Sequence, residues 1–271
     1  MRELFARIRH RYRYPLIILR AMVVSDFKLR YQESLLGYLW TLLRPLMMFS
    51  ILYVVFVRFL KLGADIPYNP VYLLFGLVIW EFFKDTTMLG LRSLVNRADL
   101  LRKISFPRYV VVLSVAAGFL IGFFLNMVVI VLFMILLTVP VRLEILWLPL
   151  ILVELLALSV AVAFFLGALF VRFRDLDYIW EVCLQAAFYL TPIFYPLSFV
   201  PLRAARLMIL SPLAQLIQDA RYCLVTDQTQ TIATVYGTPW MRLVPLGITV
   251  ILAASSVVFF RRRSPTFAEE A

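Results

Sequence analysis

The sequence has little of what most active sites are built from. One histidine, His10, and two cysteines, Cys183 and Cys223, occur in 271 residues. Without a His/Cys cluster a transition-metal centre has no ligand set, and two cysteines in different segments do not form a disulfide framework. Charged residues make up 16% of the chain, well below the roughly 25% of soluble domains. No lysine stands in a Gly-x-x-x-x-Gly-Lys-Ser/Thr frame, so a phosphate-cradling loop is missing and any ATP must bind another chain.

What is present is apolar. Hydrophobic residues are 63% of the chain and the mean hydropathy is +0.91, which places it in a membrane. Windows of about 20 residues, enough to cross the hydrocarbon core, fall at 36–60, 70–93, 109–139, 147–171, 178–197 and 240–260. The expected fold is therefore an all-α integral membrane domain of six transmembrane helices. Residues 198–239, broken by Pro201, Pro212 and Pro239, are expected as short external rim or re-entrant helices before the last span.

The net charge of +11 does not point to nucleic acid, because the basic residues sit in short segments between apolar runs. Eighteen Lys and Arg lie on the side shared by 1–35, 92–108, 172–174 and 261–263, against seven on the other. By the positive-inside rule both termini are cytoplasmic and the chain is a multi-pass protein of the cell (inner) membrane. Within 1–30, Phe5, Ile8, Tyr12, Leu16, Leu19 and Val23 share one helical arc flanked by Arg2, Arg9, Arg13 and Arg20, the pattern of an amphipathic helix lying on the inner leaflet in contact with lipid. Pro15 is a kink position, and no small-residue cleavage site follows the apolar run.

Charges inside spans are costly and mark function by default. Glu81, Lys84 and Asp85 share a helical face, so Lys84 is expected to pair with Glu81 and also to reach Asp85. Glu154 sits two turns into the fourth span, and Arg44 lies in the first. A structural ion pair within the bundle is the bland alternative.

Several strings resemble the ABC-2 type permeases that export polysaccharides, O-antigen and teichoic acid. They are RYQESLLGYLWTLLRPL from Arg30, YLLFGLVIWEFF from Tyr72, NRADLLRKISFPRYVV from Asn96, VRFRDLDYIWEV from Val171, YLTPIFYPL, SPLAQLIQDAR and the terminal FAEEA. They occur in family order along almost the whole chain, with Ser211 where asparagine is common. The resemblance implies a transport subunit and no enzyme. It implies a homodimer with two copies of a nucleotide-binding ABC ATPase, which would hold ATP and Mg, and a polyprenyl-linked glycan as cargo.

On that resemblance, ATPase coupling is expected of Arg97, Asp99, Arg102, Lys103 and Arg108, supported by Arg174 and Asp175; a plain positive-inside loop is the alternative. Asp175 reads as a helix cap rather than as half of an Asp-x-Asp sugar-nucleotide motif with Asp177. The substrate passage would use Trp40, Tyr53 and Phe56 of the first span with Tyr189, Phe194 and Tyr195 of the fifth, since aromatic faces stack on the C–H faces of pyranoses. Thr191-Pro192 and Pro196 would break the fifth helix. Other readings stay open: a lipid or drug as cargo, a membrane glycosyl- or acyltransferase using Asp175/Asp177 or Glu81/Asp85, and a passive pore.

Overall fold

The computed structural model describes residues 14–26, 37–103, 106–264 and 267, without the side chains of Tyr38 and of 101–103. Among these residues the fold is helical and has no strand. The helices are α1 (14–26), α2 (Trp40–Leu52), α3 (Asn69–Asn96), α4 (Ala98–Lys103), α5 (Tyr109–Leu136), α6 (Leu148–Phe170), α7 (Leu176–Leu190), α8 (Leu202–Ile209), α9 (Pro212–Leu224), α10 (Ile232–Tyr236) and α11 (Leu243–Arg263).

Helix α3 is the axis of the bundle. It packs on α2, α5, α6, α7 and α9, and Phe75, Leu77, Trp80, Leu91 and Leu94 along it are buried. Small residues bring α6 close. A Cβ on Gly90 would lie 2.6 Å from Cβ of Ala163, and one on Gly167 would lie 3.1 Å from the Gly90 carbonyl, so this seam excludes larger side chains, as membrane helix contacts often do.

Among the described residues four helical stretches are long and apolar enough to span a membrane: Trp40–Phe59, Tyr109–Leu136, Leu143–Phe170 and Pro239–Arg263. The two other expected windows differ for separate reasons. Helix α3 has 28 residues, about 42 Å at 1.5 Å per residue, but includes Glu81, Lys84, Asp85 and Arg92. Helix α7 has only 15, because Pro192 cannot continue it and Thr191 turns to extended backbone.

Helix α2 holds Pro45 in its interior. Proline has no N–H for the carbonyl four residues back, which belongs to Thr41. Asn126 of α5 fills that role, donating from Nδ2 to the Thr41 oxygen (3.2 Å) and to the Gly122 oxygen (2.9 Å). Beyond Leu52 the helix widens into a π-helical stretch, Tyr53–Phe59, a geometry often found at functional sites.

Residues 198–239 fold into α8, α9 and α10 at one end of the bundle, hereafter the rim end. Leu197, Ala205, Ile209, Ile232 and Val235 make a small core there. Thr231 and Thr234 cap α10 reciprocally, and Gly237 at φ 74° ends it in the left-handed conformation that favours glycine. Helix α9 is buried along nearly its whole length.

At the opposite end α1 exposes Tyr14, Leu16, Ile17 and Val24 while Met22 packs on a core that includes Phe260 and Phe267. Pro15 is the second described residue of this helix. The arc at Phe5, Ile8 and Tyr12 lies outside the described residues.

Candidate functional site

Aromatic rings gather where α7 breaks. Phe194, just past the break, lies 4.5 Å from Phe56 of the π-helical stretch, 5.0 Å from Tyr195, 5.6 Å from Phe188 and 6.0 Å from Tyr189 between ring centroids. Trp80 of α3 extends the group through Phe188 at 5.5 Å. The Tyr195 hydroxyl donates to the Tyr189 carbonyl (2.9 Å), folding the broken segment back on its own helix.

Of the six aromatics read as passage-lining, Phe56, Tyr189, Phe194 and Tyr195 therefore come together. Tyr53 is one step away, stacked on Phe49 at 5.6 Å under the Arg58 guanidinium. Trp40 does not join them: it starts α2, far along the helix, and lines a different cavity. Phe188 and Trp80 were not anticipated, since an aromatic in an apolar run gives no sign of which face it takes.

The broken segment is held by a residue that the sequence marked only as the end of a motif. Arg221 of α9 is wholly buried. It donates from Nε to the Tyr72 carbonyl (2.9 Å), from Nη1 to Pro192 (2.7 Å) and from Nη2 to Ile193 (2.5 Å), with its guanidinium 3.8 Å over the Tyr72 ring. The Pro192 and Ile193 carbonyls have no helical partner once α7 stops, and the planar donor fork of arginine meets both while also reaching the Tyr72 carbonyl of α3. The signal available was a lone arginine in an otherwise buried amphipathic helix.

The intramembrane charges form a quartet. Lys84 Nζ meets Glu81 Oε1 at 2.6 Å as expected, but Asp85 turns to Arg44 (3.5 Å), which also approaches Glu81 Oε2 (3.8 Å). Arg44 lies 41 positions before Asp85 on another helix, so helical spacing, which relates only neighbours on one helix, gave no sign of this pair. Two cations balance two carboxylates, so the quartet adds no net charge. Three of its members, Arg44, Glu81 and Asp85, border with Trp40, Phe82, Phe119 and Asn126 a cavity of about 320 Å³ between α2, α3 and α5.

At the end opposite the rim, ion pairs replace several expected free charges. Arg97 is 17% exposed and bonds Asp26 of α1 and more weakly Ser114 of α5 at 3.5 Å. It is thus a tie between helices and not part of an open surface. Asp175 stands at the N-cap position of α7, as read, but makes no side-chain capping bond and is exposed. Its neighbour Asp177 takes a bidentate bond from Arg92, 2.7 Å and 2.8 Å. With Trp180 Nε1 donating to Thr87 (3.2 Å), this fastens the start of α7 to α3.

Asp99 and Arg174 are exposed, and Arg108 is half-buried. The side chains of Arg102 and Lys103 lie outside the described residues. Among the described residues no group of His, Cys, Asp and Glu could hold a metal. Both cysteines are free, Cys183 exposed and Cys223 buried.

The ABC-2 type transporter family profile matches residues 18–225, about three quarters of the chain. The chain belongs to the ABC-2 type transporter family. It is 30% identical over 268 residues to an O-antigen export system permease protein RfbA of Myxococcus xanthus, covering 97% of this chain and 98% of that one. Two O-antigen export system permease proteins RfbA of Klebsiella pneumoniae are 31% and 29% identical over 209 residues, 77% of this chain and 80% of each. The expected family and transport role follow directly, and the enzyme readings fall away.

Proposed function

We propose that this ABC-2 chain is the membrane permease of an ATP-driven exporter that carries a lipid-linked polysaccharide across the inner membrane. The observation that carries this reading is the likeness to O-antigen export permeases over 97% of the chain. Cargo of the teichoic-acid type shares the same chemistry of a glycan polymer on a polyprenyl phosphate. In this reading α3 and α7 are the second and fifth of six spans, the rim helices face outward and both termini are cytoplasmic.

Two copies pair around the passage, and each engages a nucleotide-binding ATPase. ATP and Mg sit in that partner, since this chain has no phosphate loop. The partner grips the exposed Asp99, Arg174 and Asp175, with Arg102, Lys103 and Arg108 alongside. Movement there reaches the passage through two ties, Arg97 to Asp26 and Arg92 to Asp177. The first carries α1, the second α7. Because α7 ends in the aromatic group around Phe194, a shift of its base moves the rings past which sugars would slide.

The test is to isolate the tagged chain from its native membrane and identify what accompanies it. A stoichiometric Walker-type ATPase with vanadate-sensitive hydrolysis is expected, together with loss of surface polysaccharide when the chain is deleted. An intact surface glycan on deletion, with resistance to a lipid or drug lost instead, would replace the cargo.

A further inference from the structure

A second large opening lies away from the aromatic group and shares none of its residues. It is a groove of about 820 Å³ between α6 and α11, closed at its inner end by α9. Leu150, Val153, Leu246, Val250 and Val257 form exposed apolar walls. The floor is polar: Glu154, Gln215, Asp219 and Arg242.

The hydrogen bonds of that floor are incomplete in one direction only. Asp219, whose side chain is 2% exposed, receives Arg242 Nε (2.9 Å) and Gln215 Nε2 (2.5 Å) on Oδ2, and Arg242 Nη2 (3.0 Å) on Oδ1. Glu154 Oε1 and Gln215 Oε1 are sealed from solvent and have no partner, and Gln215 is 1% exposed as a residue. Thr249, which also lines the groove, meets the Glu154 carboxyl, yet these two acceptor oxygens of the floor still lack donors. Arg242 meanwhile keeps half of its side chain exposed at the same floor.

Buried acceptors without donors are unfavourable, more so beside hydrocarbon where water is scarce. A ligand that completes the site must bring N–H donors for Glu154 and Gln215, an anionic oxygen for Arg242, and apolar chains for the walls. Glu154 and Asp219 outweigh Arg242, and Glu144 stands at the mouth, so a net anionic headgroup is disfavoured. We infer that the groove between α6 and α11 binds a bilayer phospholipid with a primary-amine headgroup, its ammonium on Glu154 and Gln215 and its phosphate on Arg242.

Helix α9 gives such binding a consequence. Gln215 and Asp219 look into the groove while Arg221, on the same helix, holds the broken segment after α7. A lipid seated on one side of α9 steadies the clamp on the other.

The full chain would be reconstituted in nanodiscs containing phosphatidylethanolamine, phosphatidylcholine and phosphatidylglycerol in equal amounts, then moved to detergent and the retained lipid counted by native mass spectrometry. The amine lipid should be retained about tenfold over the choline lipid, whose three N-methyl groups replace the N–H donors at the same charge; one charge-assisted hydrogen bond accounts for that ratio. Glu154→Leu should erase the preference. Ala254→Phe, which narrows the groove and leaves the floor intact, should lower retention of every headgroup. Equal retention of the three lipids, or a preference for the glycerol lipid, would overturn the assignment. So would a wild-type preference that survives both substitutions, or recovery of a polyprenyl-linked saccharide as the retained lipid from native membranes. This outcome is independent of whether the chain exports polysaccharide.

Discussion

The guanidinium of Arg221 occupies the space where Gly76 would otherwise carry a side chain: a Cβ there would sit 2.1 Å from Nη2. The glycine of α3 and the arginine of α9 are thus one device, separated by 145 positions, that holds the backbone of the broken fifth segment.

Gly76→Ala should therefore act like a loss of Arg221. Displacing the guanidinium leaves the buried carbonyls of Pro192 and Ile193 without their donor, at about 1–3 kcal/mol for each unsatisfied group. Melting of the detergent-solubilised chain should fall for Gly76→Ala and for Arg221→Met alike, with little further loss in the double variant. Full additivity would separate the two residues.

Asn126 and Pro45 should be coupled. Asn126→Leu removes the donor from the Thr41 carbonyl and should destabilise by about 1–3 kcal/mol. In a Pro45→Ala background the restored N–H takes over that carbonyl, so the same substitution should cost less. A double-mutant cycle on thermal stability reads the difference directly, and a coupling near zero would show that Asn126 does not serve the proline.

The Arg92 to Asp177 pair should matter to transmission more than to folding. Asp177→Asn keeps the shape but weakens a bidentate charged contact, and export should fall about tenfold, equivalent to about 1.4 kcal/mol. Exchange of the two residues, Arg92→Asp with Asp177→Arg, should recover part of it. ATP hydrolysis that continues while export of surface polysaccharide falls is the signature of lost coupling.

Tyr189 and Phe194 should part company on substitution. Tyr189 is 64% exposed, so Tyr189→Ala should lower export with little change in melting. Phe194→Ala removes the half-buried ring that joins Phe56, Phe188 and Tyr195 and should cost stability as well, below the about 3–5 kcal/mol of a fully buried phenylalanine. Measuring export and melting on the same preparations distinguishes the two effects.

The proposed orientation predicts opposite labelling of two exposed positions. In a background of Cys183→Ser and Cys223→Ala, Gln230→Cys should react with an impermeant maleimide in sealed right-side-out vesicles. Arg174→Cys should react only after the vesicles are opened. The reverse pattern would invert the topology.

The sequence by itself determined the class of the molecule. Apolar length fixes membrane helices, since a backbone in hydrocarbon must satisfy its own polar groups, and Pro192 marks where α7 stops, since proline disfavours the helical conformation in the residue before it. Lys84 and Glu81, three residues apart on one helix, pair as their spacing requires. The tertiary structure decided everything that depends on which faces meet. Arg44 with Asp85, Arg92 with Asp177 and Arg221 with Gly76 join distant positions, and no local pattern distinguishes such charges from free ones. The same holds for Phe188 and Trp80: in lipid the outside of a helix is as apolar as its inside, so hydrophobicity stops indicating direction and packing alone selects the rings that gather.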